Sequence, residues 1–551
     1  MNGPGDKKLF WSCFIALIAT AFGFIVRAEI MDTWAVQFGF DETKKGQLFG
    51  VGLWPFAISI VLFSLIIDKI GYGRAMIFAF VCHVASMVIT ITAPTFLAKE
   101  GASLEEVAAG QKTGYWMLYL GNFIVALGNG TVEAVINPVV ATVFFRDKTK
   151  WLNMLHAGWP GGLVLGGILA ISLGTDADWR LKVGLLAIPV LLYGVLMIGC
   201  TFPVNERVTA GVSYRDMLRE VGFFGALVVS TLIVFEVTGV LENLGLIFEN
   251  TAYWSEDGYS TTLPLLGEQG ISNRNIMRWT ISGAISLIFG LYTLSFGRLI
   301  FFFLLLIMIP LATTELGTDS WITGLMKPEM KELKLNPALV LIYTSFIMMV
   351  LRFFAGPIIH RLTPLGLLML SSAIAAGGLL FLSEATGILI LVAATLYGLG
   401  KTFFWPTMLG VVAEQFPKGG ALTLNIIAGV GMLGVGVVGA LFLGNIQDKE
   451  IDKSLKDNHT EIHAKVVGPE KTSIFGNYSS LDKLKVAAAS AEDQKIITET
   501  GLVAKKSALK TVAIFPVIML ICYLILFLYF KLIYGGYRAE TLDGHAHPHP
   551  H

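Results

Sequence analysis

The stretch SLIIDKIGYGRAM, Ser64–Met76, decides the fold, because it ends one long apolar run and opens the next through a short charged turn. Gly71 permits the positive backbone dihedral angles and the close helix approach that such a tight turn needs. Asp68 can pair with a helix terminus or with Arg74. The stretch therefore predicts two membrane helices joined by a structured turn.

A second turn of the same plan occurs in the other half of the chain, in GPIIHRLTPLG, Gly356–Gly366. Two such turns at corresponding positions predict an internal repeat of two six-helix halves, an arrangement found in many secondary transporters. Turn residues of this kind are expected to tune the balance between two global conformations. They are Asp68, Gly71, Arg74, Gly356 and Arg361.

The composition is that of a membrane protein: 54% of the 551 residues are hydrophobic, 15% are charged and the mean hydropathy is +0.69. Soluble domains carry about 25% charged residues. The formal net charge is zero, so nothing predicts a nucleic-acid partner. The four cysteines lie in apolar segments, which favours buried thiols over a disulfide or a metal site. The sequence contains no nucleotide-binding loop, zinc motif or nucleophile elbow, so we expect no enzyme, cofactor or metal.

Apolar runs long enough to cross a bilayer core of about 30 Å predict an all-α integral membrane protein. Six spans are predicted in the first half, at residues 9–36, 46–68, 75–95, 115–145, 151–173 and 182–202. Six more are predicted at residues 219–247, 337–360, 364–383, 387–415, 420–445 and 509–534. Residues 276–312 remain. We interpret them as an inserted hairpin joined at SFGR, against the alternatives of one long helix or a re-entrant segment, which gives about 14 membrane segments.

The predicted domains are an N-terminal bundle at 1–202, a linker at 203–218 and a C-terminal bundle at 219–540 with an outer loop at 445–506. Residues 541–551, rich in His and Pro, are expected to form a disordered tail. Lys and Arg concentrate in the short loops on one side, which predicts that the linker and both termini are cytoplasmic. We expect a multi-pass monomer in the inner or plasma membrane.

The fourth span carries polar residues in the stretch GNGTVEAVINPVV, which begins at Gly128. Asn129, Glu133 and Asn137 recur every four residues and share a helix face with Asn122. A carboxylate at mid-membrane costs at least ~2.5 kcal/mol on insertion scales, so this face is predicted to line a water-filled cavity or the bundle interior. Interhelical hydrogen bonding remains the alternative for the asparagines. We expect Glu133 to carry the coupling proton.

Other spans supply further candidates for a polar cavity: Asp32 and Gln37 in the first, Asn153 and His156 in the fifth, Glu236 and Asn243 in the seventh, and Lys401 and Trp405 in the tenth. Lys401 is expected to neutralise Glu236 or to bind an anionic group. Trp405 is expected to stack on a sugar or to act as packing. A solvated helix end is the alternative for Asp32. For His156, a hydrogen bond at the cytoplasmic end of its span is favoured over a place in the cavity.

The first turn resembles the signature of the major facilitator superfamily, Gly-x3-Asp-x2-Gly-x2-Arg, with Ser64 in place of the first glycine. The stretches GFIVRAEIMDTWAVQF, VEAVINPVV, LNMLHAGWPGG and FFWPTMLGV are together similar to the fucose permease branch, the fucose/galactose/glucose:proton symporters. Asp32 and Glu133 occupy the positions of that family's two acidic residues. The resemblance implies that both residues serve proton coupling and sugar binding.

These observations predict proton-coupled symport of a monosaccharide or a similar small polar solute by alternating access. The expected partners are that solute, the coupling proton and the lipid bilayer. Two alternatives stay open. Arg27 and Lys401 favour a proton-coupled carrier of an organic anion or nucleoside, and the 445–506 loop is compatible with a membrane sensor that does not transport.

Overall fold

The computed structural model describes residues 3–40, 42–99, 101–174, 177–244, 246, 273–318, 330, 336, 338–473 and 476–542. Thirteen helices within these residues are long and apolar enough to cross a membrane, and Ala338–Phe353 is a shorter apolar helix. The predicted all-α membrane protein with about 14 membrane segments is therefore confirmed.

The N-terminal half contains the six predicted spans, three of which are each broken into two helices. Its helices are α1 Pro4–Phe38, α2 Glu42–Gly50, α3 Trp54–Ile70, α4 Tyr72–Thr92, α5 Leu104–Val143, α6 Lys148–His156, α7 Gly158–Ser172, α8 Trp179–Gly184 and α9 Ala187–Met197, with a 3-10 turn at Ala93–Phe96. α1 packs against α7 and α9, and α5 packs against α3 and α4.

The contact between α1 and α7 depends on small residues. A Cβ atom added to Gly162 would lie 2.5 Å from the carbonyl oxygen of Ile18, and one added to Gly158 would lie 2.9 Å from that of Phe14. Both distances are shorter than van der Waals contact, so a larger side chain at either position would push the helices apart. This glycine face of the fifth span is a packing surface.

The chain between the halves forms the short helix α10 Glu206–Thr209 and then a pair of helices, α11 Tyr214–Asn243 and α12 Asn273–Thr293. The Ser230 hydroxyl of α11 lies 3.1 Å from the Ser282 carbonyl oxygen and 3.0 Å from the Ser286 hydroxyl of α12. Arg278 of α12 pairs with Glu242 of α11 at 2.8 Å. These polar contacts hold the two helices together as a hairpin.

This pairing corrects the predicted hairpin at residues 276–312. The first arm of that segment is α12, but its partner is α11, which the sequence analysis assigned to the seventh span at 219–247. Hydropathy identifies apolar helices without showing which of them pair. A hairpin crosses the membrane twice and returns the chain to the side from which it started, whether it is formed by α11 and α12 or by residues 276–312. The distribution of Lys and Arg between the two sides therefore does not distinguish the two assignments.

The remaining elements are α13 Leu299–Ala312, α14 Ala338–Phe353, α15 Ala355–Glu384, α16 Leu389–Lys401, α17 Phe404–Gln415, α18 Gly420–Gly434, α19 Ala440–Asn458, α20 Thr460–Val466, β1 Val467–Ser473, β2 Gly476–Leu481, α21 Lys483–Ala488, α22 Ala491–Val512 and α23 Ile514–Tyr534, with a 3-10 turn at Pro417–Gly419 and π-helical turns at Thr313–Gly317 and Val435–Gly439. α13 packs against α18 and α23, as α1 packs against α7 and α9. α13 therefore takes the place of α1 in the C-terminal half.

The most extensive contacts between the two halves are made by three helix pairs. α14 packs against α7, α18 packs against α3, and α17 packs against α6. α15 is interrupted at Thr363, whose φ is +62°, so the residues before this kink continue the span that begins with α14. The central cavity lies between these contacts.

The predicted outer loop is built of helices and a β-hairpin. α19 and α22 pack together, β1 pairs with β2 in antiparallel fashion, and Leu455, Ile462, Val466 and Ile497 form a small apolar core. We call residues 440–512 the cap, and the end of the bundle where they lie the cap end. The opposite end, which contains residues 198–213, is the linker end.

Candidate functional site

A cavity lies at the centre of the bundle and is lined from both halves. The N-terminal half contributes Phe56, Ile60, Glu133, His156 and Trp159, and the C-terminal half contributes Glu315, Leu316, Arg352, Trp405 and Met432. The walls are mostly apolar and aromatic, with a few polar side chains that converge on one space. Such a lining is typical of small-molecule sites.

Glu133 of α5 is the predicted acidic residue, and the structure places it on the cavity wall with only 4% of its surface exposed. Asn137 Nδ2 donates to Glu133 Oε2 at 2.7 Å. Asn137 Oδ1 lies 2.9 Å from His156 Nε2. The polar residues that follow Glu133 along α5 therefore hold its carboxylate in place.

Pro138 explains a second contact at this site. Because proline has no N–H, it leaves the carbonyl oxygen of the residue four positions earlier without a helical partner. That residue is Ala134, and its carbonyl oxygen accepts a hydrogen bond from Asn425 Nδ2 at 2.9 Å. Asn425 lies on α18, so the proline of the fourth span provides an attachment point for the C-terminal half.

Arg352 of α14 is a site residue that sequence reasoning missed. Its guanidinium donates to the carbonyl oxygens of Thr402 and His156, both at 2.7 Å, and to Glu315 Oε1 at 2.8 Å. These three contacts join two elements of the C-terminal half to the fifth span of the N-terminal half. The signal was an arginine in the apolar run MMVLRFF, well inside the predicted span at 337–360.

Glu315, also missed, lies in the π-helical turn that follows α13. Its Oε1 accepts from Arg352, and its Oε2 accepts from the backbone N–H of Trp405 at 2.9 Å. The first N–H groups of a helix lack helical partners, and its N-terminus favours a negative charge. Glu315 therefore neutralises Arg352 and caps α17 at the same time. It lies just beyond the predicted 276–312 segment.

Lys401 is buried in the C-terminal half, with its Nζ atom 5.6 Å from the centre of the Tyr397 ring. Its charge also acts on Glu315. The predicted partner, Glu236, lies instead on α11 of the inserted hairpin, next to Gly436. The suggestion that Lys401 neutralises Glu236 is therefore corrected, because the Glu236 carboxylate lies beside Gly436 whereas Lys401 lies beside Tyr397.

Asn129 does not face the cavity. Its Oδ1 atom lies 2.9 Å from His83 Nε2, and His83 Nδ1 lies 2.8 Å from the hydroxyl of Tyr193, within the N-terminal half. A step of four residues advances a helix by 400°, so each step rotates the side chain by about 40°. From Asn129 to Asn137 the predicted stripe rotates by about 80°, and its members therefore meet different neighbours.

The remaining candidates lie away from the cavity. Asn153 donates to Thr407 Oγ1 at 3.2 Å, towards the linker end. Asp32 is exposed and pairs with Lys45 at 2.7 Å. Gln37 accepts from the Trp179 ring at 2.7 Å, near the cap end. The side chain of Asn243 lies outside the described residues.

The first turn contains the expected glycine geometry, but its ion pair differs from the suggested one. Gly71 has a φ of +82°. Asp68 pairs with Arg207 of the linker at 2.5 Å, whereas Arg74 is exposed. The turn is therefore attached to the linker between the two halves.

The second turn makes a different contact. A Cβ atom added to Gly356 would lie 3.1 Å from Lys150 Cδ, so this glycine permits close approach to α6. Arg361 is exposed.

Further contacts join the halves at the linker end. Lys148 of α6 donates to Glu206 of the linker at 2.7 Å and to the Ala413 carbonyl oxygen of α17 at 3.2 Å. Thr149 Oγ1 donates to Glu414 Oε1 at 2.5 Å, and the Tyr537 hydroxyl donates to Glu414 Oε2 at 2.8 Å. The linker end is thus closed by side chains from both halves.

The C-terminal residues take part in this closure. Arg298 pairs with Glu540 at 2.6 Å. Leu542 is buried, so the start of the predicted disordered tail packs against the bundle. Residues 543–551 of that tail lie outside the described residues. Among the residues that the structure does describe, no cluster of three His, Cys, Asp or Glu side chains is arranged to hold a metal ion.

Comparison with solved structures shows the same fold at low sequence identity. The proton:xylose symporter XylE, bound to 6-bromo-6-deoxy-D-glucose, has 16% identity and a TM-score of 0.55, with 84% of this chain and 93% of that chain covered. The human organic anion transporter MFSD10 has 12% identity and a TM-score of 0.54, with 95% and 100% covered. The fucose:proton symporter FucP of E. coli has 14% identity and a TM-score of 0.50, with 92% and 98% covered.

No curated protein sequence is significantly similar to the chain. The family model of the Major Facilitator Superfamily, in contrast, matches residues 9–440. This match agrees with the two six-helix halves, the central cavity and the structured turns described above. It confirms the resemblance drawn from the first turn. The chain is a transporter of the Major Facilitator Superfamily.

Proposed function

We propose that the chain is a proton-coupled symporter of a monosaccharide or a similar small polyhydroxy solute. It works by alternating access of its two halves around the central cavity. The observation that carries this proposal is Glu133, a single carboxyl group on the N-terminal wall of a largely apolar cavity, opposite Arg352 and Glu315.

The charge balance of the cavity explains why a proton would be coupled to transport. Arg352 and Glu315 already neutralise each other through a direct contact of 2.8 Å. Glu133 has no cation within such a contact among the described residues; its partner is the amide of Asn137. Enclosing an ionised carboxylate in a closed cavity is costly. Protonation removes that charge and allows the halves to change conformation around it.

The lining supports a small polar solute. Trp159 and Trp405 offer aromatic faces of the kind that pack against the C–H groups of a sugar ring, while Glu133, Glu315 and Arg352 offer acceptors and donors for hydroxyl groups. The solved structures of a xylose symporter and a fucose symporter carry the same fold. They support the choice of sugars as the first solutes to test.

The test is uptake into proteoliposomes with an imposed pH gradient, screened over monosaccharides. Glu133→Gln imitates the protonated carboxyl group, so we expect it to keep solute counterflow and to lose uphill uptake driven by the gradient. Glu236→Gln is the matched control, because it neutralises a membrane carboxyl group on the inserted hairpin. Undiminished uphill uptake by the Glu133 variant would reject the assignment, and loss in both variants would indicate general damage.

A second candidate function is proton-coupled transport of an organic anion. Two buried cations favour it: Arg352 lines the cavity, and Lys401 is buried in the same half and acts on Glu315. Competition decides between the two candidates. Neutral sugars should block uptake under the first proposal, and small carboxylates should block it under the second. Measurable uptake of either class would exclude the sensor that does not transport.

A further inference from the structure

Two histidine–asparagine pairs support α5 in the same way. His156 Nε2 lies 2.9 Å from Asn137 Oδ1, and His83 Nε2 lies 2.9 Å from Asn129 Oδ1. All four side chains are buried. The pairs differ in what lies beyond them, because only the amide of Asn137 continues to a carboxyl group.

The hydrogen positions of the first pair follow from that carboxyl group. An ionised Glu133 can only accept hydrogen bonds, so the Asn137 Nδ2 atom at 2.7 Å is the donor. The Oδ1 atom of the same amide then faces His156 and must accept. His156 Nε2 therefore carries a hydrogen. The imidazole fixes the orientation of an amide that stabilises the ionised form of Glu133.

The backbone of His156 contacts the other half of the molecule. Its carbonyl oxygen accepts from Arg352 Nη1 at 2.7 Å, and Arg352 also holds Glu315. The charged groups that face this region are thus Arg352 from α14 and Glu315 from the turn after α13, with Lys401 acting on Glu315 from α16. His156 therefore makes two different contacts. Its imidazole supports Asn137 beside Glu133, and its backbone carbonyl oxygen accepts from Arg352 of the C-terminal half.

We propose that His156 is a positioning residue for proton coupling, which holds Asn137 against ionised Glu133 and connects the protonation state of Glu133 to the Arg352 contact. This inference rests on the proposed role of Glu133. When Glu133 carries its proton on Oε2, the oxygen that faces Asn137, that oxygen donates and the amide turns its own oxygen towards it. His156 Nε2 then faces an amide donor, and the imidazole moves its hydrogen to Nδ1 or rotates. Protonation on that oxygen therefore rearranges the side chain of the residue whose backbone carbonyl oxygen contacts Arg352 of the C-terminal half.

The test measures uptake against pH for three histidine variants. His156→Leu removes the ring nitrogen, whereas His156→Gln keeps a side-chain donor that can reach Asn137. Without the imidazole, Asn137 is no longer held against the ionised carboxyl group, so Glu133 binds its proton more tightly. We therefore expect half-maximal uptake in His156→Leu at a pH about one unit higher, which is a tenfold change in proton affinity. His156→Gln should recover most of this shift. His83→Leu, the matched control, should leave the pH of half-maximal uptake unchanged.

A second variant keeps the test decisive if His156→Leu fails to fold. Asn137→Leu removes the amide but leaves the imidazole, and it should shift the pH profile in the same direction. An unmoved profile in the folded variants would overturn the inference. So would a higher KM at low pH without a shift, because that result would make His156 a solute contact. If the unmodified protein shows no gradient-driven uptake, the proposed function has failed, whereas coupled uptake with an unshifted profile rejects the positioning role alone.

Discussion

The Arg352–Glu315 ion pair should be among the most sensitive positions for the stability of the chain. Replacing Arg352 by Met removes donors from two backbone carbonyl oxygens and leaves the Glu315 carboxylate buried without its cation. The two side chains are only 2% and 6% exposed, so solvent screens their attraction much less than that of a surface pair. Breaking one partner of such a buried pair costs about 3–5 kcal/mol.

This cost translates into a measurable thermal shift. Unfolding entropies of about 2.1 cal/mol/K per residue give roughly 1.2 kcal/mol/K for a chain of 551 residues. The midpoint of thermal unfolding in detergent should therefore fall by about 3–4 °C in Arg352→Met. Arg219→Met is the control, because Arg219 and its partner Asp216 are 45% and 46% exposed and a surface pair contributes less than about 1 kcal/mol.

A double-mutant cycle separates the ion pair from general packing. Adding Glu315→Gln to Arg352→Met removes the uncompensated charge, so the double variant should be more stable than Arg352→Met alone. The reasoning is refuted if the losses of the two single variants simply add. A loss in Arg352→Met no larger than that of the Arg219 control would refute it as well.

Other contacts make further predictions. Asp68→Asn removes the ionised partner of Arg207 and should change the transport rate severalfold. The equilibrium affinity for the solute should change only by the small factor that a shift between the two conformations explains. Loss of solute binding in a folded variant would contradict this. A cysteine at Met432 should react with a small polar thiol reagent, whereas one at Asn129 should be protected, and equal labelling would place the cavity elsewhere. Glu414→Gln weakens the linker-end contacts, so cysteine labelling of the cavity from that end should increase; unchanged labelling would show that Glu414 is not part of the closure.

The sequence indicated the helices and Glu133 for the same reason. A membrane demands long apolar segments, and an acid within one stands out against them. Glu133 lies in the middle of such a segment, and the structure places it on the cavity wall. Glu315 lies just beyond the predicted 276–312 segment, where a charged residue is ordinary. Arg352 lies inside the predicted span at 337–360, where the same rule marks it, yet sequence reasoning did not select it. Their pairing depends on how α13 and α14 pack, which no local pattern contains.

The asparagines show a second limit of sequence reasoning. Asn129 and Asn137 share a stripe on α5, yet one bonds within the N-terminal half and the other supports the cavity. The helix period gives the direction of each side chain relative to its own axis. Which helix lies in that direction is decided by tertiary packing. The assignment of α11 to the repeat failed for the same reason.

The cap would amplify movements of the C-terminal half. α19 has 19 residues and, at 1.5 Å per residue, is about 28 Å long, with its first turns packed in the bundle. The cap has its own apolar core and is attached to the C-terminal half through α19 and α22. A rotation of that half by about 10° would move the end of α19 by about 5 Å. A fluorophore there and a partner dye on the N-terminal half would therefore report each turnover optically, at a position distant from the solute.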